Sequence, residues 1–320
     1  MTGNKLNELD FIEQLRVLCG TGPESLNLQD DVACIPAIAG HDWLISVDAI
    51  QRGRHFSDRD TPQTVARRLV GSAVSDLIAK GASPKGCLMT LGRDSTWDDA
   101  WLMSFAQAFA SEIDIYGMSL WGGDTVRANG FASLTVHGIV SNGQMVRRSG
   151  AQAGDDIYVT GTIGDGYLGR LALMDMPNGP LLNTLNAYTC PRPPLAFSAY
   201  LSAHASASID ISDGLASDLD RICNSSHCGM EVLLDHIPLS RQGEAFKDTN
   251  GYEILITAGD DYQTAFTANS KHRAALVKAA QATQTRLSRI GVVRQQAGDC
   301  IFKSRDGSVL TLAKRGYTHF

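Results

Sequence analysis

Acidic residues recur along this chain where apolar runs end. They stand at Asp30-Asp31, Ser46-Val47-Asp48, Ser75-Asp76, Gly122-Gly123-Asp124-Thr125, Asp210-Ile211-Ser212-Asp213 and Gly259-Asp260-Asp261-Tyr262. Each borders an apolar or β-branched stretch, where an unpaired carboxylate is costly. One such residue would be noise, but six clusters in one chain point to a shared cation site. Mg²⁺ suits it, because that ion prefers carboxylate oxygen and water and usually also holds substrate phosphates. Asp48 interrupts Trp-Leu-Ile-Ser-Val-Asp-Ala-Ile, a run from Trp43 to Ile50; a surface edge strand could tolerate it, but the run reads as a buried strand, which favours a ligand role.

The remaining composition bounds the answer. With 43% hydrophobic and 19% charged residues over 320 positions, the chain is an ordinary globular protein of about two domains. No apolar stretch is long enough to cross a bilayer, and Met-Thr-Gly-Asn-Lys-Leu-Asn-Glu carries no signal-peptide core. Seven scattered cysteines fit a reduced compartment, so the expected location is cytoplasmic with no membrane partner. Cys223, His227 and Cys228 match no zinc spacing and read as a helix end. A net charge of −6 without a basic block argues against nucleic acid as the main partner. An acidic protein that binds anions needs local neutralisation, which bound metal would supply.

Hydrophobic periodicity predicts a helix over Asn7 to Leu18, with strands at Val32 to Ile35 and Trp43 to Ile50. Thr61-Pro62 opens a helix that runs to about Lys80. Lys85 to Leu91 reads as a strand, Trp97 to Tyr116 as a helix, and Met118 to Trp121 as a short strand before a Gly-Gly-Asp-Thr turn. Phe131 to Val140 completes a first α/β domain, residues 1–150. The polar Arg147 to Asp155 segment carries the boundary, and residues 151–320 form a second α/β domain. Its expected strands are Ile157 to Thr160, Ser208 to Ile211, Ile254 to Thr257, Gln263 to Thr267, Ile290 to Val293 and Ser308 to Leu312. Its expected helices are Leu215 to Cys223 and Lys271 to Thr283, and Met174 to Asn183 reads as a loop. The fold class is therefore α/β of the α+β type: two domains of mixed sheets flanked by helices.

Several motifs have an ordinary alternative. Asp76 could be a solvated ion pair with Lys80 four residues on. Gly122 to Thr125 could be a plain turn, although glycine also lets backbone approach a phosphate. Ser212 or Asp213 could simply cap the following helix, whose N-terminus would also attract an anion. Gly164-Asp165-Gly166-Tyr167-Leu168-Gly169 fits a dinucleotide fingerprint, but a Pro-rich stretch follows where an acid-ended strand is required. It reads as a tight turn, and nicotinamide binding is rejected. Walker and protein-kinase motifs are absent from the sequence. Arg52, Arg54, His55 and Arg148 border the acidic motifs; arginine suits bidentate phosphate contact, and ordinary surface charge is the alternative.

Taken in order, these motifs resemble the thiamine-monophosphate kinase family, within the superfamily of aminoimidazole ribonucleotide synthetase and selenophosphate synthetase. The resemblance runs from Asn7-Glu8-Leu9-Asp10-Phe11-Ile12 through Asp30-Asp31-Val32-Ala33, Ser46-Val47-Asp48 and Gly53-Arg54-His55-Phe56. It continues through Ser75-Asp76-Leu77-Ile78-Ala79-Lys80-Gly81-Ala82, Gly122-Gly123-Asp124-Thr125, Arg148-Ser149-Gly150-Ala151 and Pro191-Arg192-Pro193. It ends with Asp210 to Leu215, Asp260-Asp261-Tyr262 and Gly316 to Phe320. The resemblance implies a homodimer formed through the first domain, with several Mg²⁺ ions between ATP and thiamine monophosphate. It implies Asp31, Ser46, Val47 (through its carbonyl), Asp48, Asp76, Asp124, Asp210 and Asp213 as metal ligands. Gly123, Asp124, Arg148 and Ser212 would contact ATP; His55, Asp260 and Tyr317 or Phe320 would contact the thiamine substrate.

Four departures stand out. Asn27-Leu28-Gln29 replaces the usual Gly-Ile-Gly, Val47 replaces a threonine, and Ala73-Val74 precedes Ser75-Asp76 in place of Asn-Leu. Asp260 replaces a glutamate, shortening a substrate carboxylate by one methylene. No presumed metal aspartate is lost. The implied reaction is in-line phosphoryl transfer to a phosphate already anionic near neutral pH, so no general base is required. The alternatives are another ATP enzyme of the superfamily and a non-catalytic sensor of nucleotide or thiamine phosphate.

Overall fold

The fold was obtained as a computed structural model, and it describes residues 7–19, 22–29, 32–175 and 181–317. The chain divides into two compact units, residues 1–77 with 83–142 and residues 78–82 with 143–320.

The first unit holds α1 (Glu8–Leu18), β1 (His41–Gln51), most of α2 (Pro62–Ala79), β2 (Ser83–Arg93), α3 (Asp99–Ile115), β3 (Ser119–Arg127) and β4 (Phe131–Ser141). Local chemistry sets the helix starts. Asn7 and Asp10 form a reciprocal capping box on α1, and Asp98 accepts the Trp101 N–H at the head of α3. Thr61 Oγ1 accepts the Thr64 N–H, with Pro62 at the first helical position of α2. The sheet order is β1-β4-β2-β3, with β2 and β3 parallel and the other pairs antiparallel. β1 is therefore an edge strand with one face open, not the buried strand that its nearly continuous apolar run suggests. Leu44 and Ile50 on one face are buried, while Ile45 and Val47 on the other are 64% and 59% exposed.

The second unit is built on a six-stranded mixed sheet, order β10-β7-β9-β5-β8-β6. Its strands are β5 (Asp156–Thr160), β6 (Ala207–Ile211), β7 (Gly229–Leu233), β8 (Gln263–Ala268), β9 (Leu287–Arg294) and β10 (Cys300–Lys303). Around them lie α4 (Asp165–Asp175), α5 (Leu185–Thr189), α6 (Ser198–His204), α7 (Leu215–Ser226), α8 (Arg241–Asn250), α9 (Glu253–Thr257) and α10 (Arg273–Ala282). β5 and β6 are buried at every position, as expected of strands covered on both faces. One core gathers Ile157, Ile209, Leu215, Leu219, Ile222 and Phe302; a smaller one gathers Tyr158, Phe197, Phe266 and Leu276.

Local pattern misleads in six places. Ile254 to Thr257 is helical in α9, not a strand; four apolar or β-branched residues are too few to reveal a period. Gly122 to Thr125 is no turn: β3 runs straight through it, because the ladder to β2 outweighs turn propensity. Val32 to Ile35 is irregular, and near Ser308 to Leu312 only an isolated bridge from Val309 to Lys303 forms. The expected loop from Met174 begins in the last turn of α4, and residues 182–184 form a 3₁₀ turn. Gly214 occupies the N-cap of α7, so neither Ser212 nor Asp213 caps it.

At the start of β5, Asp156 is buried and accepts from Arg273 at 2.6 and 2.7 Å and from Arg289 at 3.1 Å. The Arg273 hydrogen bonds hold its carboxyl below the usual aspartate range. A depressed native value contributes stability above the unfolded value and loses it as pH falls. Acid unfolding below about pH 4 should therefore be less steep in Asp156→Asn than in the wild type, as read by Tm against pH.

Candidate active site

In the first unit, the sequence-predicted metal residues cluster around β1 and α2. Ser46 and Asp48 share one face of β1, two residues and about 7 Å apart. From α2, Asp76 meets Ser46 there: Ser46 Oγ donates to Asp76 Oδ2 at 2.6 Å. Between Val65 and Ala79, Asp76 is one of two positions that are not buried, the other being Arg67. Its place in the apolar helix therefore serves Ser46 rather than bulk solvent, and Lys80 donates to the Ser208 carbonyl. Val47 points to the opposite face, so on this side it offers only backbone.

Asp124 does not join this group. The register pairs Asp48 with Leu134, Leu134 with Met89, and Met89 with Gly123. Gly123 thus shares the row and face of Asp48, and Asp124 leaves the other face one residue on. β1 and β3 are opposite edges, about 14 Å apart for three strand spacings in a flat sheet. Asp124 is exposed and accepts the Thr125 N–H at 2.8 Å.

His55 follows β1 in a tight turn closed by Gly53 N–H to the Phe56 carbonyl. Its Nδ1 accepts the Gln51 N–H at 3.0 Å, which makes Nε2 the donor in the neutral ring. The nearly buried Arg68 donates to the His55 carbonyl at 3.2 Å, fixing the turn from below. Arg52, a phosphate candidate from sequence, is instead occupied by Asp58 at 2.6 Å and Asp94 at 3.0 Å. With Phe56, Trp97 and Trp101 it lines a pocket of about 280 Å³.

In the second unit, Asp210 is buried one residue before the end of β6, and Ser212 and Asp213 form the turn into α7. Asp218, one turn into α7 and fully buried, accepts the N–H groups of both Ser212 and Asp213 at 3.1 Å. Arg221 donates to Asp218 Oδ1 at 2.6 Å and also to Asp213 Oδ2. Burial first, then the Asp210 charge, pushes the Asp218 carboxyl up to about 8.

The Asp260 turn is laid directly on this loop. Asp260 N–H donates to the Ser212 carbonyl and Tyr262 N–H to the Ile211 carbonyl. A Cβ at Gly259 would lie 2.2 Å from Ser212 O, so only glycine permits the approach. Asp260 has φ +75 and accepts the Tyr262 hydroxyl at 3.0 Å. Beside it, Asp261 is buried and accepts the N–H groups of Gly164 at 2.8 Å and Gly166 at 3.0 Å. The glycine turn that imitates a dinucleotide fingerprint thus binds the protein's own carboxylate. Its spacing lets chain pass: a Cβ on Gly166 would sit 2.2 Å from Asp260 O.

Tyr317, 43% exposed, reaches the same loop by donating its N–H to the Asp213 carbonyl. Arg315 pins the preceding tail through Asp220, at 2.6 and 2.7 Å, and the Cys300 carbonyl. Arg148 does not converge with Ser212 through the backbone. Its carbonyl accepts Ser226 Oγ at the far end of α7, about 16 Å along the helix from Leu215. Asp30, Asp31 and Phe320 lie outside the described residues.

Sequence reasoning missed Asp218, Asp261, Arg221 and Arg315. Asp218 had a signal: with Leu215, Leu219 and Ile222 it sits on the apolar stripe of α7, where an acid needs partners.

The donor set suits Mg²⁺. It consists of carboxylate and hydroxyl oxygens, with Asp76 aimed at Ser46 from a largely buried helix. Among the described residues no three His, Cys, Asp or Glu side chains form a complete metal cage.

Residues 29–140 match the model of the AIR synthase related protein N-terminal domain, and residues 152–301 match that of the C-terminal domain. The thiamine-monophosphate kinase of Caulobacter vibrioides is 34% identical over 98% of this chain and 90% of its own length. The crystal structure of thiamine-monophosphate kinase from Stenotrophomonas maltophilia K279a superposes with TM-score 0.83 at 28% identity, covering 96% of this chain and 99% of that one. A structure described as AaThiL complexed with AMPPCP and TMP shares the fold at TM-score 0.78 and 24% identity, over 98% and 97% of the two chains. The chain belongs to the thiamine-monophosphate kinase family of AIR synthase related proteins.

Proposed function

We propose that this chain transfers the γ-phosphoryl group of ATP to thiamine monophosphate, forming thiamine diphosphate and ADP. The observation that carries the reading is the agreement with thiamine-monophosphate kinases along almost the whole chain. The oxygen ligands at Ser46, Asp48, Asp76, Asp210 and Asp213 stand with it. The reaction brings two polyanions together, and the acceptor phosphate is already anionic, so no proton has to be removed. Bound Mg²⁺ would supply charge neutralisation and alignment of phosphate oxygens.

The chain's own groups do the rest. Asp48 and Asp76, with Ser46 and the Val47 carbonyl, hold cation on the first unit, and Asp210 and Asp213 on the second; Asp31 belongs to the same set. Gly123 leaves the sheet surface open to a phosphate, Asp124 adds a carboxylate at the β3 edge, and Ser212 and Arg148 contact ATP. His55 presents Nε2–H to the acceptor phosphate. Asp260 and Tyr317, with Phe320, orient the thiamine rings. Incubation with ATP, thiamine monophosphate and Mg²⁺ should yield ADP and thiamine diphosphate in equal amounts by chromatography. Binding of both substrates without turnover would refute the kinase reading.

The tail makes a second check. In Arg315→Ala the segment bearing Tyr317 loses its anchor on Asp220. KM for thiamine monophosphate should rise about tenfold while KM for ATP changes little, as expected for about 1.4 kcal/mol lost at one substrate. Equal changes in both constants would remove the tail from the thiamine site.

The functional unit in this reading is a homodimer formed through the first unit. β1 is an eleven-residue edge strand with exposed Ile45 and Val47, a surface that a stable soluble chain covers. A second copy of the sheet is the complementary partner. Asp48 and Asp124, on opposite edges of one sheet, act on one ion only across such a pair or through a bridging phosphate. Ile45→Glu should give a monomer by analytical ultracentrifugation; an unchanged dimer would exclude this face.

A further inference from the structure

Arg221 and Asp218 belong to the Asp213 cluster, but the proposed reaction uses neither. The Arg221 guanidinium forks between two carboxylates: Nη1 donates to Asp218 Oδ1 at 2.6 Å and Nη2 donates to Asp213 Oδ2. The two ends differ in character. Asp218 is wholly buried and tied to the Ser212 and Asp213 N–H groups, so its end of the fork is fixed. The Asp213 side chain is 22% exposed and that of Arg221 is 40% exposed, so this end can open toward water.

We propose that Arg221 is an internal competitor for the cation at Asp213 and sets how much divalent ion the second unit needs. The inference rests on the assignment of Asp213 as a metal ligand. With the guanidinium on Oδ2, a divalent ion must displace it to use that oxygen. The displaced arm stays tethered, because Nη1 remains on Asp218. The exchange leaves Asp213 compensated by one cation or the other, and the Asp210, Asp213 and Asp218 carboxylates are never left together without positive charge. A buried carboxylate cluster without a cation is costly, which gives the fork its physical purpose. Arg221 is thus a residue that tunes metal affinity and not a phosphate ligand.

The experiment titrates Mn²⁺, as a paramagnetic probe, and Mg²⁺, by thermal shift, into the full chain after EDTA treatment. It compares wild type, Arg221→Gln, Arg221→Lys, Asp213→Asn and Arg221→Gln/Asp213→Asn. In Arg221→Gln the Asp213-dependent binding step should tighten about three- to tenfold, the loss of one half-exposed competing ion pair. The variant should melt lower than wild type in EDTA and recover most of that difference in saturating Mg²⁺. Arg221→Lys, which keeps a charge, should restore weaker binding. A melting deficit that is equal with and without Mg²⁺, with unchanged Mn²⁺ affinity, would overturn the proposal and leave Arg221 a structural residue. Weaker binding in Arg221→Gln would overturn it too, by making Arg221 a support of the site. If Asp213→Asn leaves metal binding as in wild type, the metal assignment of Asp213 itself fails, and the inference with it.

Discussion

Asp48→Asn is expected to lower turnover by about a hundredfold or more, close to 2.7 kcal/mol of transition-state stabilisation, with the fold intact. The change keeps the shape of the side chain and removes its charge. Asp48 lies on the Ser46 face of β1, where Asp76 also arrives, and it is only partly buried, unlike Leu44 and Ile50 on the same face. A hard divalent ion loses most by the exchange of carboxylate for amide. Raising Mg²⁺ should recover part of the rate, and Tm should shift by less than about 3 °C. Val47→Thr is the control one residue away, because that side chain leaves the opposite face and should change turnover little. Near-normal turnover in Asp48→Asn at limiting Mg²⁺ would remove Asp48 from the metal set.

Asp261→Asn carries the largest expected effect on stability. Both oxygens of this buried side chain accept backbone N–H groups, from Gly164 and Gly166. An amide can accept only one; its NH₂ would confront the other donor, leaving two buried polar groups unpaired. The cost is about 2–4 kcal/mol, or roughly 5–15 °C in Tm for a unit of this size. The turn bearing Asp260 should loosen with it, raising KM for thiamine monophosphate. Burial outweighs the two N–H bonds and pushes the Asp261 carboxyl up to about 8. A raised native value means that the folded chain holds a proton which the unfolded chain has released from about pH 4 upward. Its contribution is complete at low pH and is lost as pH rises through about 8. The gap in Tm between wild type and Asp261→Asn should accordingly narrow as pH rises from about 4 to about 8 and stay constant above that. A gap that is constant from pH 5 to 9 would show that Asp261 stays ionised.

The two aspartates show where sequence reading succeeds and where it stops. The face of Asp48 was legible because the period of two assigns it, but the edge position of its strand was not, since an apolar run reads the same at an edge and in the middle of a sheet. The start of α2 at Thr61-Pro62 was legible because capping is a local contact. Asp261 was not legible as a structural residue: its partners lie 97 and 95 positions earlier, and the run Gly164-Asp165-Gly166 taken alone imitates a nucleotide loop. Asp218 holds the Ser212–Asp213 turn from within a helix, and only its place on the apolar stripe hinted at that. The strand expected at Ile254 to Thr257 failed because its neighbours, not its four residues, choose between helix and strand.

By itself the sequence determined the α/β architecture of two domains and the family, and it nominated the aspartates proposed to carry the chemistry. These follow from periodicity, from capping and from the order of short motifs, all properties of neighbouring residues. Tertiary structure decided which carboxylates work in pairs. It joined Asp76 to Ser46, kept Asp124 on the far edge of the sheet, and turned Asp218 and Asp261 into anchors for backbone N–H groups. A carboxylate has the same composition in every role. Whether it binds a cation, an arginine or a backbone amide depends on what burial and distant chain segments leave beside it.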